Sequence, residues 1–327
     1  MTELISNDPG GSRPTVAAGQ HPIESTRYII STPQVAEMCS QAVHWIRLRV
    51  PGAIVYAPPR HGKSRGLEIL RSELIEAFPG MPIVLLPAWD YTAPREKPFL
   101  SDLLTASGHA LNRSGTAEEM RERLVNLLGE EGTQNGQGRV LLIIDEGQNL
   151  HPKHYNWLTG IHNLLILQEV NLIVLLVGQQ ELLAQRRAFV KAEKKQIVGR
   201  FMIHDLEFHG VRSVTDLREI LQVYDDHTEY PAGSGWSFTR YYAAQPFHCG
   251  WRLARLSEEF WNAFRAVHDA FPEAASHREV PMQYFCRTVE HFLIHLSGLN
   301  LNDETAVRRL LTEAIGSSGY FETFIVP

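Results

Sequence analysis

An apolar run, Ala53-Ile54-Val55-Tyr56, leads directly into Ala57-Pro58-Pro59-Arg60-His61-Gly62-Lys63-Ser64 and then into a helical pattern. No other stretch narrows the possible folds so far. A buried strand must end, turn and open a helix, and the unpartnered N–H groups at such a helix start favour an anion. The octamer follows G-x-x-x-x-G-K-[ST], with Ala57 in the place of the first glycine. Pro59, Arg60, His61, Gly62, Lys63, Ser64 and Arg65 are therefore the expected phosphate-binding residues. Lys63 is expected to reach the β- and γ-phosphates of a nucleotide, and the Ser64 hydroxyl to ligate Mg²⁺. Pro58 and Pro59 have no amide hydrogen, but they precede the donating part of the loop. Arg60 and His61 are bulkier than the small residues usual there, which points to slow hydrolysis.

Alone, the octamer is also compatible with a strand–turn–helix connection holding a chance Gly-Lys-Ser. A second pattern argues against that. About 80 residues further on, Val140-Leu141-Leu142-Ile143-Ile144 runs into Asp145-Glu146. An apolar strand ending in two carboxylates suits a Walker B strand. Asp145 is expected to hold Mg²⁺, and Glu146 to act as the base that polarises the attacking water. Taken alone, it is equally a strand meeting solvent. Gln179 follows the run Asn171–Gly178 and is the candidate polar sensor of the γ-phosphate, or else part of a helix-capping turn. Gly199-Arg200-Phe201 is expected just before a strand, with Arg200 on the face away from its own nucleotide. From there Arg200 would serve a neighbouring subunit as an arginine finger, or else be a solvated strand-edge charge. Arg252 is expected to open a helix and bend over the phosphates, or to be an exposed helix charge.

With 327 residues and 44% hydrophobic content, the chain can bury one large domain or two modest ones. A formal net charge of −6 excludes a global basic field for nucleic acid, so any DNA contact has to be local. Cys39, Cys249 and Cys286 are isolated, which signals neither a zinc site nor a disulfide framework. No apolar run is long enough for a membrane helix, and a cytoplasmic location is expected. Residues 1–29 read as a flexible N-terminal tail, polar and rich in Gly and Pro near the start.

Apolar runs at 53–56, 82–86, 140–146, 171–178 and 200–207 alternate with helical patterns. That alternation predicts a parallel sheet covered on both faces. Helices are expected from Thr32 to about Arg49, over Leu67–Phe78, Phe99–Leu111, Glu118–Leu128 and Tyr155–Gln168. Glu130–Gly138 is expected as a polar loop. After Val211 the pattern becomes helical, over Val214–Tyr224, Ser237–Ala243, Gly250–Val267, Gln283–Leu296 and Thr305–Ile315. Tyr320–Pro327 reads as a poorly ordered end rather than a docking peptide.

These motifs, in this order, resemble the AAA+ ATPases, and within them the transposition regulators of the TnsC/TniB type, relatives of the phage Mu target-selection ATPase. The resemblance spans roughly Ile30–Leu256. It rests on Ile30-Ser31-Thr32-Pro33-Gln34-Val35, the phosphate loop, Asp145-Glu146-Gly147-Gln148-Asn149-Leu150, Gly199-Arg200-Phe201 and Arg252-Leu253-Ala254-Arg255. It implies an α/β AAA+ P-loop three-layer domain with a central parallel sheet, followed by a small all-helical lid. The corresponding divisions are a tail at 1–29, an ATPase core at 30–209, a lid at 210–300 and a C-terminal helix and tail at 301–327. It also implies ATP and Mg²⁺ as cofactors, and a homo-oligomeric ring or helical filament on duplex DNA that links a target-selection protein to a transposase. No motif marks the DNA contacts. Charge alone nominates Lys97, Lys153, Arg186, Arg187, Lys191, Lys194 and Lys195, and the last five also read as a solvated helix face. An alternative is a nucleotide-gated AAA+/STAND-like signalling or defence switch acting on protein partners. A small-molecule kinase fits less well, because a Glu follows the Walker B Asp directly.

Overall fold

The structure, a computed structural model, describes residues 12–90, 93–134, 136, 138–271 and 279–325. In chain order the elements are α1 (Pro22–Ser25), α2 (Pro33–Arg47), β1 (Gly52–Tyr56), α3 (Lys63–Ala77), β2 (Ile83–Pro87), α4 (Glu96–Ala106), α5 (Ala117–Gln134), β3 (Arg139–Asp145), α6 (Pro152–Leu167), β4 (Asn171–Gly178), α7 (Glu181–Lys191), α8 (Lys195–Phe201) and β5 (His204–Glu207). Beyond β5 come α9 (Val214–Asp226), α10 (Phe238–Tyr242), α11 (Ala244–His248), a 3-10 turn at Leu253–Leu256, α12 (Ser257–Ala270), α13 (Met282–Ile294), α14 (Glu304–Ser318) and α15 (Glu322–Ile325). They form two units. An α/β unit comprises Val35–Pro59 and Lys63–Phe208, and a helical unit comprises the residues up to Gln34, Arg60–Gly62 and those from His209 on.

In the α/β unit all strand pairs are parallel, in the order β2-β3-β4-β1-β5. Side chains alternate between the two faces of a strand, and here both faces are buried. Leu142, Ile144, Val174 and Leu176 face a core shared with α4 to α8, whereas Leu141, Ile143, Leu175 and Val177 face α2 and α3. This is the three-layer AAA+ P-loop arrangement expected from the sequence.

Two elements differ from expectation in this unit. The run at 200–207 is a strand only over His204–Glu207, and Gly199-Arg200-Phe201 closes α8. Ile197 and Phe201, four residues apart, are both buried, so the local period is helical. The expected polar loop from Glu130 is helical to Gln134, because Leu128, Gly129 and Gly132 are buried along α5.

The helical unit has its own apolar core, built from α9, α12, α13 and α14 around Leu221, Phe260, Phe285, Phe292 and Leu311. The C-terminal helix is thus part of that core and not a separate piece. The Arg252 segment is extended, and regular helix starts only at Ser257. Tyr320, expected in a poorly ordered end, is buried against Phe264 and Tyr284, and Phe324 stacks on Phe271. The segment expected as a flexible tail packs already at Arg13, whose guanidinium lies 4.0 Å from the Tyr241 ring centroid, and at His21, whose ring stacks on Tyr241 beside Phe238, while Ile23 is buried. Residues 1–11 of that tail lie outside the described residues. Among the described residues, no helix is long and apolar enough to cross a membrane.

Candidate nucleotide site

The strand register sets the geometry of the α/β unit's candidate residues. Tyr56 at the end of β1 pairs with Gly178 at the end of β4, and Asp145 at the end of β3 pairs with Pro87 at the end of β2. The phosphate loop, Gln179 and Asp145-Glu146 therefore leave the sheet along one carboxyl-end edge, where open parallel sheets bind ligands. Across the intervening β4, the Ser64 Oγ donates to Asp145 Oδ2 at 3.0 Å. Ser64 and Asp145, the two expected Mg²⁺ ligands, are thus brought together as a hard-oxygen pair. That donor set fits Mg²⁺, which takes few protein ligands and keeps phosphate and water in its remaining positions. Among the described residues there is no cluster of three or more His, Cys, Asp or Glu that could hold a metal otherwise.

Lys63 is buried, and its Nζ donates to the carbonyls of Ala57 at 2.9 Å and Pro58 at 3.0 Å. Burial pushes the ammonium below its ordinary pKa, against the pull of Glu146, Asp145 and Glu181. Burial likewise raises Asp145, while donation from the Glu146 N–H at 2.9 Å and from Ser64 opposes the rise. Two charges are thus held partly dehydrated and near one another, an arrangement suited to a charged ligand.

Glu146 has a left-handed backbone, φ 53°, a conformation that costs energy for a non-glycine residue and recurs at functional sites. Its carboxylate Oε2 accepts from Gln148 Nε2, and Gln148 Oε1 accepts from the Gln179 N–H at 3.0 Å. Gln148 therefore ties the expected base to the end of β4. A side chain on Gly178 would run into Gln148 Oε1, since a Cβ there would lie 2.2 Å away. Gln185 in turn donates to the Gln148 carbonyl at 2.6 Å and accepts from the Tyr155 hydroxyl at 3.0 Å. Gln148 was legible only as a letter of the Asp145–Leu150 pattern. Its bridging role depends on the turn at Glu146, which residue spacing does not reveal.

The remaining candidates are dispersed. Arg200 bonds Asn163 Oδ1 at 3.0 Å. Its carbonyl covers Gly52, where a Cβ would approach to 2.4 Å, so Arg200 lies at the start of β1, away from the loop end. Arg65 is exposed and pairs with Glu68 at 3.6 Å. Pro59 is exposed at the edge of the α/β unit. Arg60, His61 and Gly62 pack with the helical unit. In that unit the Arg252 guanidinium lies 3.7 Å from the Phe247 ring centroid and donates to the carbonyls of Phe247 and Trp251. Of the nominated DNA contacts, Lys97 stands on α4, Lys153 on α6, and Arg186, Arg187, Lys191, Lys194 and Lys195 on or beside α7 and α8. Arg186 is paired with Asp205 at 2.6 Å, and the other six are exposed. Arg186, Arg187 and Lys191 border an open groove floored by Val198 and Met202.

Residues 52–185 match the family model described as AAA domain. No curated protein matches the chain by sequence. Among solved structures, ORC2 of Aeropyrum pernix, described in ADPNP–ADP complexes, is similar over 90% of this chain and 72% of its own, with 14% identity and a TM-score of 0.54. Cdc6p of Pyrobaculum aerophilum is similar over 92% and 88%, with 13% identity and a TM-score of 0.45. Drosophila ORC bound to poly(dA/dT) DNA and Cdc6 is similar over 91% of this chain and 46% of its own, with 11% identity and a TM-score of 0.46. At such identities the likeness is one of fold.

Proposed function

We propose that the protein is an ATP-hydrolysing AAA+ regulator that assembles on duplex DNA and links target selection to a transposase. The carrying observation is the Ser64–Asp145 hydrogen bond across β4, with buried Lys63 and the tethered Glu146 beside it. In this reading Lys63 exchanges its loop carbonyls for phosphate oxygens, and Ser64 and Asp145 hold Mg²⁺. The bound metal would neutralise charge on the phosphates. Glu146, held by Gln148, takes the proton of the attacking water. Arg200 of a neighbouring copy faces the γ-phosphate. The ORC2 protein of similar fold is described in ADPNP–ADP complexes, which supports nucleotide binding. The transposition role rests on the sequence resemblance.

A second reading, a nucleotide-gated switch acting on proteins, draws support from the net charge of −6 and from the pairing of Arg186 with Asp205. One experiment separates the two. Co-sedimentation with duplex DNA should require ATP or a slowly hydrolysed analogue, and should weaken steeply as salt rises. Reversing the charges of Lys191, Lys194 and Lys195 should lower it. Nucleotide binding without any nucleotide-dependent DNA sedimentation would favour the switch, and loss of neither on Lys63→Ala would remove both.

A further inference from the structure

The geometry points to Glu279 as a positioning residue for the phosphate loop, an inference that rests on the phosphate-binding reading of Arg60–Gly62. These three residues pack with the helical unit. Glu279 Oε2 lies 3.6 Å from His61 Nε2 and accepts the Gly210 N–H at 3.0 Å, while its Oε1 is 2.9 Å from His209 Nδ1. One carboxylate thus gathers the loop's histidine and His209 and Gly210, where the chain re-enters the helical unit. Burial alone would raise this carboxyl, but contacts from His61, Gly210 and His209 outweigh it and hold the pKa down at about 2. Two further contacts hold the loop from the same stretch. The Arg60 carbonyl accepts the Gln283 N–H at 3.1 Å, and the Arg60 guanidinium stands 5.3 Å over the Tyr284 ring.

The bulky residues at positions 60 and 61 thereby acquire a reason. A Gly or Ser there would keep only the backbone bond to Gln283, whereas the side chains of Arg60 and His61 also reach Tyr284 and Glu279. Arg60 carries φ 69° and Gly62 φ 96°, so the direction of the loop N–H groups depends on a conformation that needs outside support. Because coupling is reciprocal, nucleotide on the loop must act back on Glu279 and the start of α13.

The test measures binding of a fluorescent ATP analogue with Mg²⁺ to the full chain. Glu279→Ala should weaken binding about tenfold and leave kcat at saturating ATP unchanged. His61→Ala should weaken binding to the same extent, and the double variant should lose no more affinity than either single one. Additive losses, or wild-type affinity in Glu279→Ala while Lys63→Ala abolishes binding, would overturn the positioning role alone. Wild-type binding by Lys63→Ala would instead sink the phosphate-loop reading. Hydrogen exchange on the wild type decides the matter if Glu279→Ala fails to fold. Mg-ATP should slow exchange over residues 279–286, and unchanged exchange there overturns the inference.

Discussion

At the residue scale the candidate site gives up stability for function. Burial raises the Asp145 carboxyl above its unfolded value. A group shifted in that direction stabilises the fold only at low pH, and that contribution is lost as pH rises through the folded value. At neutral pH the shifted Asp145 carboxyl therefore costs stability in the nucleotide-free protein. Asp145→Asn removes the charge, while its carbonyl oxygen can accept the Glu146 N–H and its amide N–H can donate to Ser64 Oγ. It should melt at a higher temperature than the wild type at pH 7, and it should lose Mg²⁺-dependent nucleotide binding by at least about tenfold. A lower melting temperature would mean that the carboxylate is a structural ion and not a ligand held in reserve. Gln148 makes a separable prediction. It touches Glu146 and the Gln179 amide, so Gln148→Ala frees the expected base without removing it. Misplacing a reacting group by an ångström costs on the order of 10²-fold, and this loss should fall on kcat while KM stays near the wild-type value. A matching rise in KM would assign Gln148 to binding instead.

At the scale of elements, one buried carboxyl ties three segments of the helical unit together. The Tyr28 hydroxyl, ahead of α2, donates to Glu290 Oε1 on α13 at 3.0 Å and lies 2.8 Å from the Tyr224 hydroxyl on α9. Burial raises Glu290 from 4.5 to about 7, and the Tyr28 bond and Arg287 only partly offset it. The folded value exceeds the unfolded one, so stability should fall as pH rises from about 4.5 to about 7, by about 2–3 kcal/mol. Thermal melts of Glu290→Gln should lack this slope, and a slope equal to the wild type's would place the titration elsewhere. Such ties explain what the sequence could not show. Strands such as Val140–Ile144 were legible because burial on both faces leaves an unbroken apolar run. The loop and the Asp145-Glu146 pair were legible because each closes such a run. Phe201, Ile203 and Leu206 suit a strand or a helix over so short a window, and only the buried partner Ile197 decides for α8. Tyr320 and His21 looked like tail residues because their partners lie far off in sequence, among them Phe264 and Tyr241. The tether from His61 to Glu279 spans more than 200 residues and leaves no local pattern.

At the scale of the whole molecule, the placement of Arg200 separates a self-contained ATPase from one that needs a second copy. Its carbonyl lies over Gly52, the first residue of β1, whereas the loop follows Tyr56, the last. Four residue steps of strand separate them by roughly 13 Å, and the guanidinium is turned to Asn163 on α6. An Arg so placed is badly sited for its own γ-phosphate, and under the proposed function it serves a neighbouring copy's instead. Arg200→Ala should then lower hydrolysis by about 10³-fold while nucleotide affinity persists, and Glu146→Gln should bind ATP and stall. Mixing the two inactive proteins is the decisive measurement. Where an Arg200→Ala subunit supplies Glu146 and its Glu146→Gln neighbour supplies Arg200, the shared site is complete. With random mixing in equal amounts that holds at about a quarter of interfaces, so about a quarter of wild-type activity should return. If the mixture stays as inactive as its components, although both variants still co-assemble, Arg200 acts within its own subunit or not at all.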